Sequence, residues 1–297
     1  MPGKQVTELE ALPSFTDNSL LPVHNGAGLK KGLLSQLANY LGNKFSNPNL
    51  LINPDFKINQ RGATSYEKQG YSVDRWKIWN VTVTPSTNGG ITVKNDKYTD
   101  TATFLQYLEN ATEGDSTLSC YVTSVSGTVT MVADDNSQVI LKQGLNVVHT
   151  SKSTKAFTIF LNKGTNITLK WVKLEQGTVV TPFVTPNSAE EIVKCQRFYV
   201  VVESSLSGYG ANDAIYIPFA RGVYMRSNRT VIFKGNNKQT FLRINGTGKA
   251  ISFNTTNGFS KDQYLRLYAN PKDTSLNNYA LGIDLNDIVI SVDAEIY

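Results

Sequence analysis

Histidine and cysteine are almost missing from this chain, with two of each in 297 residues, and the chemistry that depends on them loses its basis. His24 and His149 are far apart and neither adjoins a nucleophile motif, so a histidine-based triad has no support. Cys120 and Cys195 have no C-x-x-C spacing and no histidine neighbour, which argues against a zinc or redox site. They read as two buried thiols, with their pairing left open because a chain of this length does not need a disulfide. Charged residues make up only 18%. Lys and Arg exceed Asp and Glu by 29 to 24, but the excess is scattered, with Lys30-Lys31 the nearest thing to a cluster. The stripe that phosphate binding needs is missing, so no nucleic-acid partner is expected. No apolar run is long enough to cross a bilayer, and Met1 to Thr7 lacks the basic-then-apolar pattern of a secretory signal. The expectation is a soluble protein made in a cytosol, without membrane insertion.

Thr, Asn, Ser, Val and Gly crowd the sequence in place of Leu, Ala, Glu and Lys, a bias toward strands and turns. The length exceeds what one ordinary core organises. The pattern divides it into an N-terminal segment (1–47), a first β domain (48–186) and a second (187–297). In the segment, Leu9, Leu12, Leu20, Leu21 and Val23 lie between turn formers. Leu29 to Leu41 then reads as a short amphipathic helix, with Leu33, Leu34, Leu37 and Leu41 on one stripe. So narrow a stripe must dock on something, and self-association is the nearest route.

After Asn47-Pro48, short β-branched and aromatic runs alternate with turn residues, from Arg75–Thr84 through Ile167–Glu175, the texture of a sandwich or jelly roll. Pro182 and Pro186 break the pattern. A helical turn follows at Ser188–Lys194, capped by Ser188 or Asn187 with Glu190 and Glu191 in its first turn. Further strands run to the end. The fold class is thus all-β: two β-sandwich or jelly-roll domains behind a short anchoring segment with one amphipathic helix.

Candidate chemistry is sparse. The available carboxylate pairs, Asp134-Asp135 and Asp284 with Asp287, look like turn residues, and Asn245-Gly246-Thr247-Gly248 reads as a hairpin turn and not a nucleotide cradle. No cofactor is expected; a structural calcium held by Asp55 and Glu175 is the one exception worth testing. Tyr66, Trp79, Tyr98 and Tyr209 lie in turn-rich surroundings and are the candidates for a sugar-stacking platform, with core or interface burial as the competing role of each.

Several phrases carry a resemblance. Leu50-Leu51-Ile52-Asn53-Pro54-Asp55-Phe56, Gln60-Arg61-Gly62 and Tyr71-Ser72-Val73-Asp74-Arg75-Trp76 resemble the opening of a jelly-roll domain widespread in bacteriophage tail-fibre and appendage proteins. Val172 to Gly177 with Thr181-Pro182-Phe183 resembles its close. Cys195-Gln196-Arg197-Phe198-Tyr199, Ile217-Pro218-Phe219, Met225-Arg226 and Asp293-Ala294-Glu295-Ile296 extend the likeness to the C-terminus. Pro54 departs from it, since relatives usually have Gly there, and so does Met225-Arg226-Ser227-Asn228-Arg229, where relatives are proline-rich. The N-terminal stretch from Val6 to Leu37 is similar to segments that attach phage fibres to the particle.

The resemblance implies a non-enzymatic virion protein with a jelly roll of the carbohydrate-binding-module type. The leucines and Val23 of the N-terminal segment would dock on other phage structural proteins, of tail, capsid or portal region. The chain would form a homo-oligomer, most naturally a trimer, and its β domains would meet host-surface glycans. Alternatives are a purely structural head fibre, decoration or baseplate connector and, ranked last, a polysaccharide depolymerase, whose long parallel β-helix repeat is not visible. Within the phrases, Trp76 is expected in the sandwich core and Arg75 paired or solvated.

Overall fold

Alternation decides the strands. In Ile91–Asn95 the side chains of Ile91, Val93 and Asn95 point inward while Thr92 and Lys94 face out, the period of two that a half-buried strand requires. A computed structural model of the chain describes residues 19–24, 29–34, 36–37, 45–67, 69–99 and 101–202. Beyond these it describes 206–211, 214–218, 225–226, 230–234, 239–244, 247–252, 258–259, 264–268, 280–284 and 289–296. The fold is all-β, built from antiparallel sheets.

Near the start, β1 (Leu20–His24) pairs with β2 (Leu29–Leu33) in a hairpin, from Leu20↔Leu33 to His24↔Leu29. This corrects the helix expected over Leu29 to Leu41. Gly32 disfavours a helix by about 1 kcal/mol relative to alanine, and β1 offers the segment a strand partner. Helical conformation starts only at Leu34 and includes Gln36 and Leu37. The Leu33 N–H donates to Gln36 Oε1 at 3.0 Å, so Leu33 stands at the cap and not on the helical stripe. Leu20 and Leu37 are exposed, and Leu33 and Leu34 half-buried. Leu21 and Val23 lie in β1, while Leu9, Leu12 and Leu41 fall outside the described residues.

The next strands are β3 (Gly70–Tyr71), β4 (Lys77–Trp79), β5 (Thr82–Pro85), β6 (Ile91–Asn95), β7 (Thr103–Tyr107) and β8 (Ser116–Ser126). They continue as β9 (Val129–Val132), β10 (Gln138–Ile140), β11 (Gly144–Thr150), β12 (Ala156–Leu161) and β13 (Thr165–Gln176). The single run expected over Arg75 to Thr84 is two strands, because Asn80 between β4 and β5 takes φ +55°, which no strand tolerates. One sheet has the order β10-β9-β12-β7-β4-β3 and the other β11-β8-β13-β6-β5. The inward side chains of both build one hydrophobic core. Trp76 is fully buried in it, stacked on Phe104 at 4.7 Å, with Phe56 at 5.1 Å and the edge of Phe157 at 6.0 Å.

Chain exit from β13 leads to a helix, Ser188–Gln196, longer than its sequence pattern suggests. Asn187 is its cap, accepting from the Ala189 N–H at 2.9 Å. Beyond it, β14 (Tyr199–Val202), β15 (Leu206–Ala211), β16 (Ala214–Pro218), β17 (Thr230–Lys234) and β18 (Gln239–Ile244) are followed by β19 (Thr247–Ser252), β20 (Gly258–Phe259), β21 (Tyr264–Tyr268), β22 (Ala280–Asp284) and β23 (Val289–Asp293). They form two sheets ordered β14-β23-β17 and β19-β18-β22-β15-β16-β21-β20. Among the described residues no helix is long and apolar enough to cross a membrane.

Candidate functional site

Two loops of the first β unit, 53–61 and 71–76, bring most of the buried charge among the described residues to one place, against the helix and the three-stranded sheet. Asn53 organises the first loop. Its amide Nδ2 donates to Ile58 O (2.8 Å) and Asp74 O (3.1 Å), its Oδ1 accepts from Ile58 N (2.9 Å), and its own N–H donates to Glu191 Oε1 of the helix (2.6 Å). Gln60 donates to both oxygens of Asp74, through its N–H at 2.7 Å and Nε2 at 2.6 Å, and Nε2 also reaches Tyr199 O.

Arg75 crosses the junction. Its Nη1 meets Glu295 Oε2 at 2.5 Å, its N–H donates to Glu295 Oε1 at 3.2 Å, its Nη2 donates to Tyr107 O at 2.7 Å, and the guanidinium lies 3.6 Å from the Phe198 ring centre. Arg61 lies 3.8 Å over the Tyr199 ring, with Glu295 and Asp293 at 3.5 and 3.7 Å, and the Tyr71 hydroxyl donates to Ile296 O. Asn53, Phe56 and Arg75 all have positive φ, at 55°, 61° and 73°. Such backbone costs about 1–3 kcal/mol per residue and persists only where surrounding contacts over-determine it.

These charges do not titrate independently. Burial raises the Asp74 carboxyl to about 6, against the opposing effects of Arg61 and the Gln60 donors. The folded chain therefore holds a proton between pH 3.8 and 6 that the unfolded chain has released. The stability this confers is fully present below the ordinary carboxylate value and is lost as pH rises through 6. The change is of order 3 kcal/mol at about 1.36 kcal/mol per unit. Urea unfolding between about pH 4 and 7 should show the wild type losing about that much relative to Asp74→Asn as pH rises; a pH-independent difference would refute the assignment. Arg61 is raised by Glu295, Asp74 and Asp293, which together outweigh the lowering effect of its burial.

A second cluster ties the entry and exit of the first β unit together. Lys173 Nζ, fully buried on β13, meets Glu175 Oε2 at 3.0 Å and donates to Thr181 Oγ1 (2.6 Å), Ser46 Oγ (3.1 Å) and Pro182 O (3.2 Å). Thr181 N–H donates to Glu175 Oε1 at 2.9 Å. The exit strap is thereby held over the outer face of the β11-β8-β13-β6-β5 sheet, where Phe183 stacks on Trp171 at 4.7 Å with only 4° between the rings. Tyr121, paired with Trp171 on the next strand, extends the aromatic surface at 6.0 Å. Beside the stack lies a groove of about 320 Å³, whose walls include Asp55, Lys57, Asn88, Gly90 and Lys170. A larger cleft, about 590 Å³, flanks the junction between Tyr107, Glu109, Glu113 and Phe198.

No family model matches this chain, and no curated protein matches it.

The residues chosen from sequence as sugar contacts lie on separate elements. Trp79 ends β4 and Tyr98 follows β6, both exposed. Tyr66 is half-buried, bridges to Val83 and donates its hydroxyl to Asn59 Oδ1, whereas Tyr209 stacks on Tyr216 at 5.2 Å. Asp55 and Glu175 are not brought together as calcium ligands: Asp55 pairs with Lys57, and Glu175 serves Lys173 and Thr181. Among the described residues no three His, Cys, Asp or Glu converge as a metal site. Asp135 Oδ1 accepts from Ser137 N–H at 2.9 Å, the turn role its sequence suggests. Cys120 and Cys195 are buried and unpaired with each other, and burial pushes the Cys120 thiol up to about 12. His149 is exposed, with Nδ1 2.9 Å from Thr117 Oγ1. Sequence reasoning missed Trp171 and Phe183, because the stack depends on the strap folding back.

Proposed function

We propose that the chain is a structural subunit of a bacteriophage particle, a fibre or appendage. Residues up to about Leu41 dock on the virion, and the β domains, the first a jelly roll of the carbohydrate-binding-module type, face outward for attachment to host-surface glycans. Asn53-Pro54-Asp55-Phe56, Gln60-Arg61-Gly62, Asp74-Arg75-Trp76, Arg197-Phe198-Tyr199 and Asp293-Ala294-Glu295-Ile296 are all phrases that resemble phage appendage proteins. Their convergence on one buried junction carries the reading: Arg75 meets Glu295 and Phe198, Gln60 meets Tyr199, and Asn53 O accepts from Trp76 Nε1 at 2.9 Å. Motifs held together by one physical task resemble each other for a reason that chance similarity lacks. The task suits a projecting subunit, since it fuses the first β unit to the helix and the C-terminal strands through charge pairs and not through a free linker.

The test is particle assembly. A chain lacking residues 1–41 should fold, by its circular dichroism, yet be missing from purified particles that carry the full-length chain. Incorporation of the truncated chain at normal copy number would defeat the docking role, and failure to find the full-length chain in any particle would defeat the whole reading.

A further inference from the structure

The groove beside Trp171 and Phe183 has the features of a binding site. It borders a break in the β13–β8 register. Leu169 pairs with Val122 and Trp171 with Tyr121, so Lys170 is left without a partner position on β13, as Thr123 is on β8. Such a break re-aims side chains, and this one sets an exposed ammonium directly beside an outward-facing indole. Lys170 Nζ lies 5.8 Å from the Tyr121 ring centre, on the same aromatic surface.

Asp55, only 7% exposed, lines the same groove. Its Oδ2 is 2.8 Å from Lys57 Nζ, an ion pair outside hydrogen-bond geometry, and this buried oxygen accepts no hydrogen bond. Its negative charge is balanced by Lys57, and its acceptor directions stay open to a ligand hydroxyl. Gly89 and Gly90 (φ +90° and +85°) also line the groove, Gly89 against Asp55 and Lys57 and Gly90 against β13. The Gly90 N–H donates to Asp55 O at 2.8 Å, and a Cβ on Gly90 would stand 2.9 Å from Leu169 O. The turn is therefore confined to glycine there, and that part of the groove lining carries no side chain.

We propose that this groove binds an acidic saccharide. A pyranose presents a C–H face that suits the Trp171 and Phe183 rings, both of which line the groove. Its hydroxyl donates to Asp55 Oδ2, and its carboxylate meets Lys170, where two ammonium groups against one carboxylate leave the groove net positive. The biological sense of the site rests on the proposed host attachment, while its chemistry can be measured alone.

The experiment is calorimetric titration of the full chain at low ionic strength with a short hexuronic-acid oligomer and a sialylated oligosaccharide. The carboxyl-reduced neutral form of the uronic oligomer and a single-stranded oligonucleotide serve as comparisons. At least one acidic saccharide should bind, and Lys170→Glu, at an exposed register break, should weaken it about tenfold or more, the equivalent of 1.4 kcal/mol. Carboxyl reduction should do the same to the uronic oligomer if that is the ligand bound. Asp55→Asn should weaken binding with little change in melting temperature, and the fluorescence response to ligand should vanish in Trp171→Phe. Failure of both acidic saccharides to bind, equal binding by Lys170→Glu, or tighter binding of the oligonucleotide overturns the proposal. A chain that binds through this groove but is missing from particles sinks only the virion reading; one present in particles but unable to bind sinks only the groove.

Discussion

Replacing Glu295 with alanine is expected to destabilise the chain by about 3–5 kcal/mol, the cost of leaving one partner of a buried ion pair alone. Arg75 is 1% exposed, and Glu295 supplies acceptors to its Nη1 and its backbone N–H. Without that carboxylate, the guanidinium keeps one carbonyl, Tyr107 O, and the face of Phe198. Arg61 loses an anionic neighbour at 3.5 Å in the same step. Because Glu295 follows the last strand, the damage should appear first as release of the C-terminal sheet from the first β unit. Limited proteolysis should cut the variant near the helix Ser188–Gln196 at concentrations of protease that leave the wild type whole. The double change Arg75→Met with Glu295→Leu should be much milder, since it removes both charges from the interior. Equal instability of the single and double variants would mean that shape, and not uncompensated charge, holds the junction.

Trp76→Ala is expected to cost a similar amount, about 3–5 kcal/mol, for a different reason. The indole is fully buried among Phe56, Phe104 and Phe157, and its removal opens a cavity that these close-packed rings cannot fill. It also strips the donor from Asn53 O, the residue on which the 53–61 loop is organised. Denaturant unfolding should show the loss, and the near-ultraviolet dichroism of the aromatic cluster should collapse before the strand signal does. A loss below about 1 kcal/mol, the level of a tolerated volume-conserving swap, would show that Trp76 is not the centre of the core.

Legibility differed by the range of the interaction involved. Asn187 was readable as a cap because capping is settled within three residues, and Asp135 as a turn residue for the same reason. Strand after strand follows from alternation, which each segment carries in itself. The N-terminal helix misled because Leu33, Leu34 and Leu37 do recur at helical spacing. A hairpin partner across the turn, Leu20–His24, competes for the same residues, and periodicity does not contain that information. The aromatic candidates Tyr66, Trp79, Tyr98 and Tyr209 were marked by turn-rich surroundings and lie on separate elements, whereas the stack forms where a proline-bearing strap lays Phe183 on Trp171. The signal in the sequence was Lys170-Trp171, where the in-out pattern of β13 slips by one residue.

By itself, then, the sequence determined the β class, the turns, the helix cap and the burial of Trp76, because those depend on local backbone preference and on the apolar character of each residue. Only the tertiary structure decided that Arg75 answers Glu295, 220 positions away, that Lys173 clasps the exit strap, and that a groove opens beside Trp171. A charged side chain in the interior must find its complement, but the chain between the two is silent about which one, and only the packing of sheets and loops brings the pair within reach.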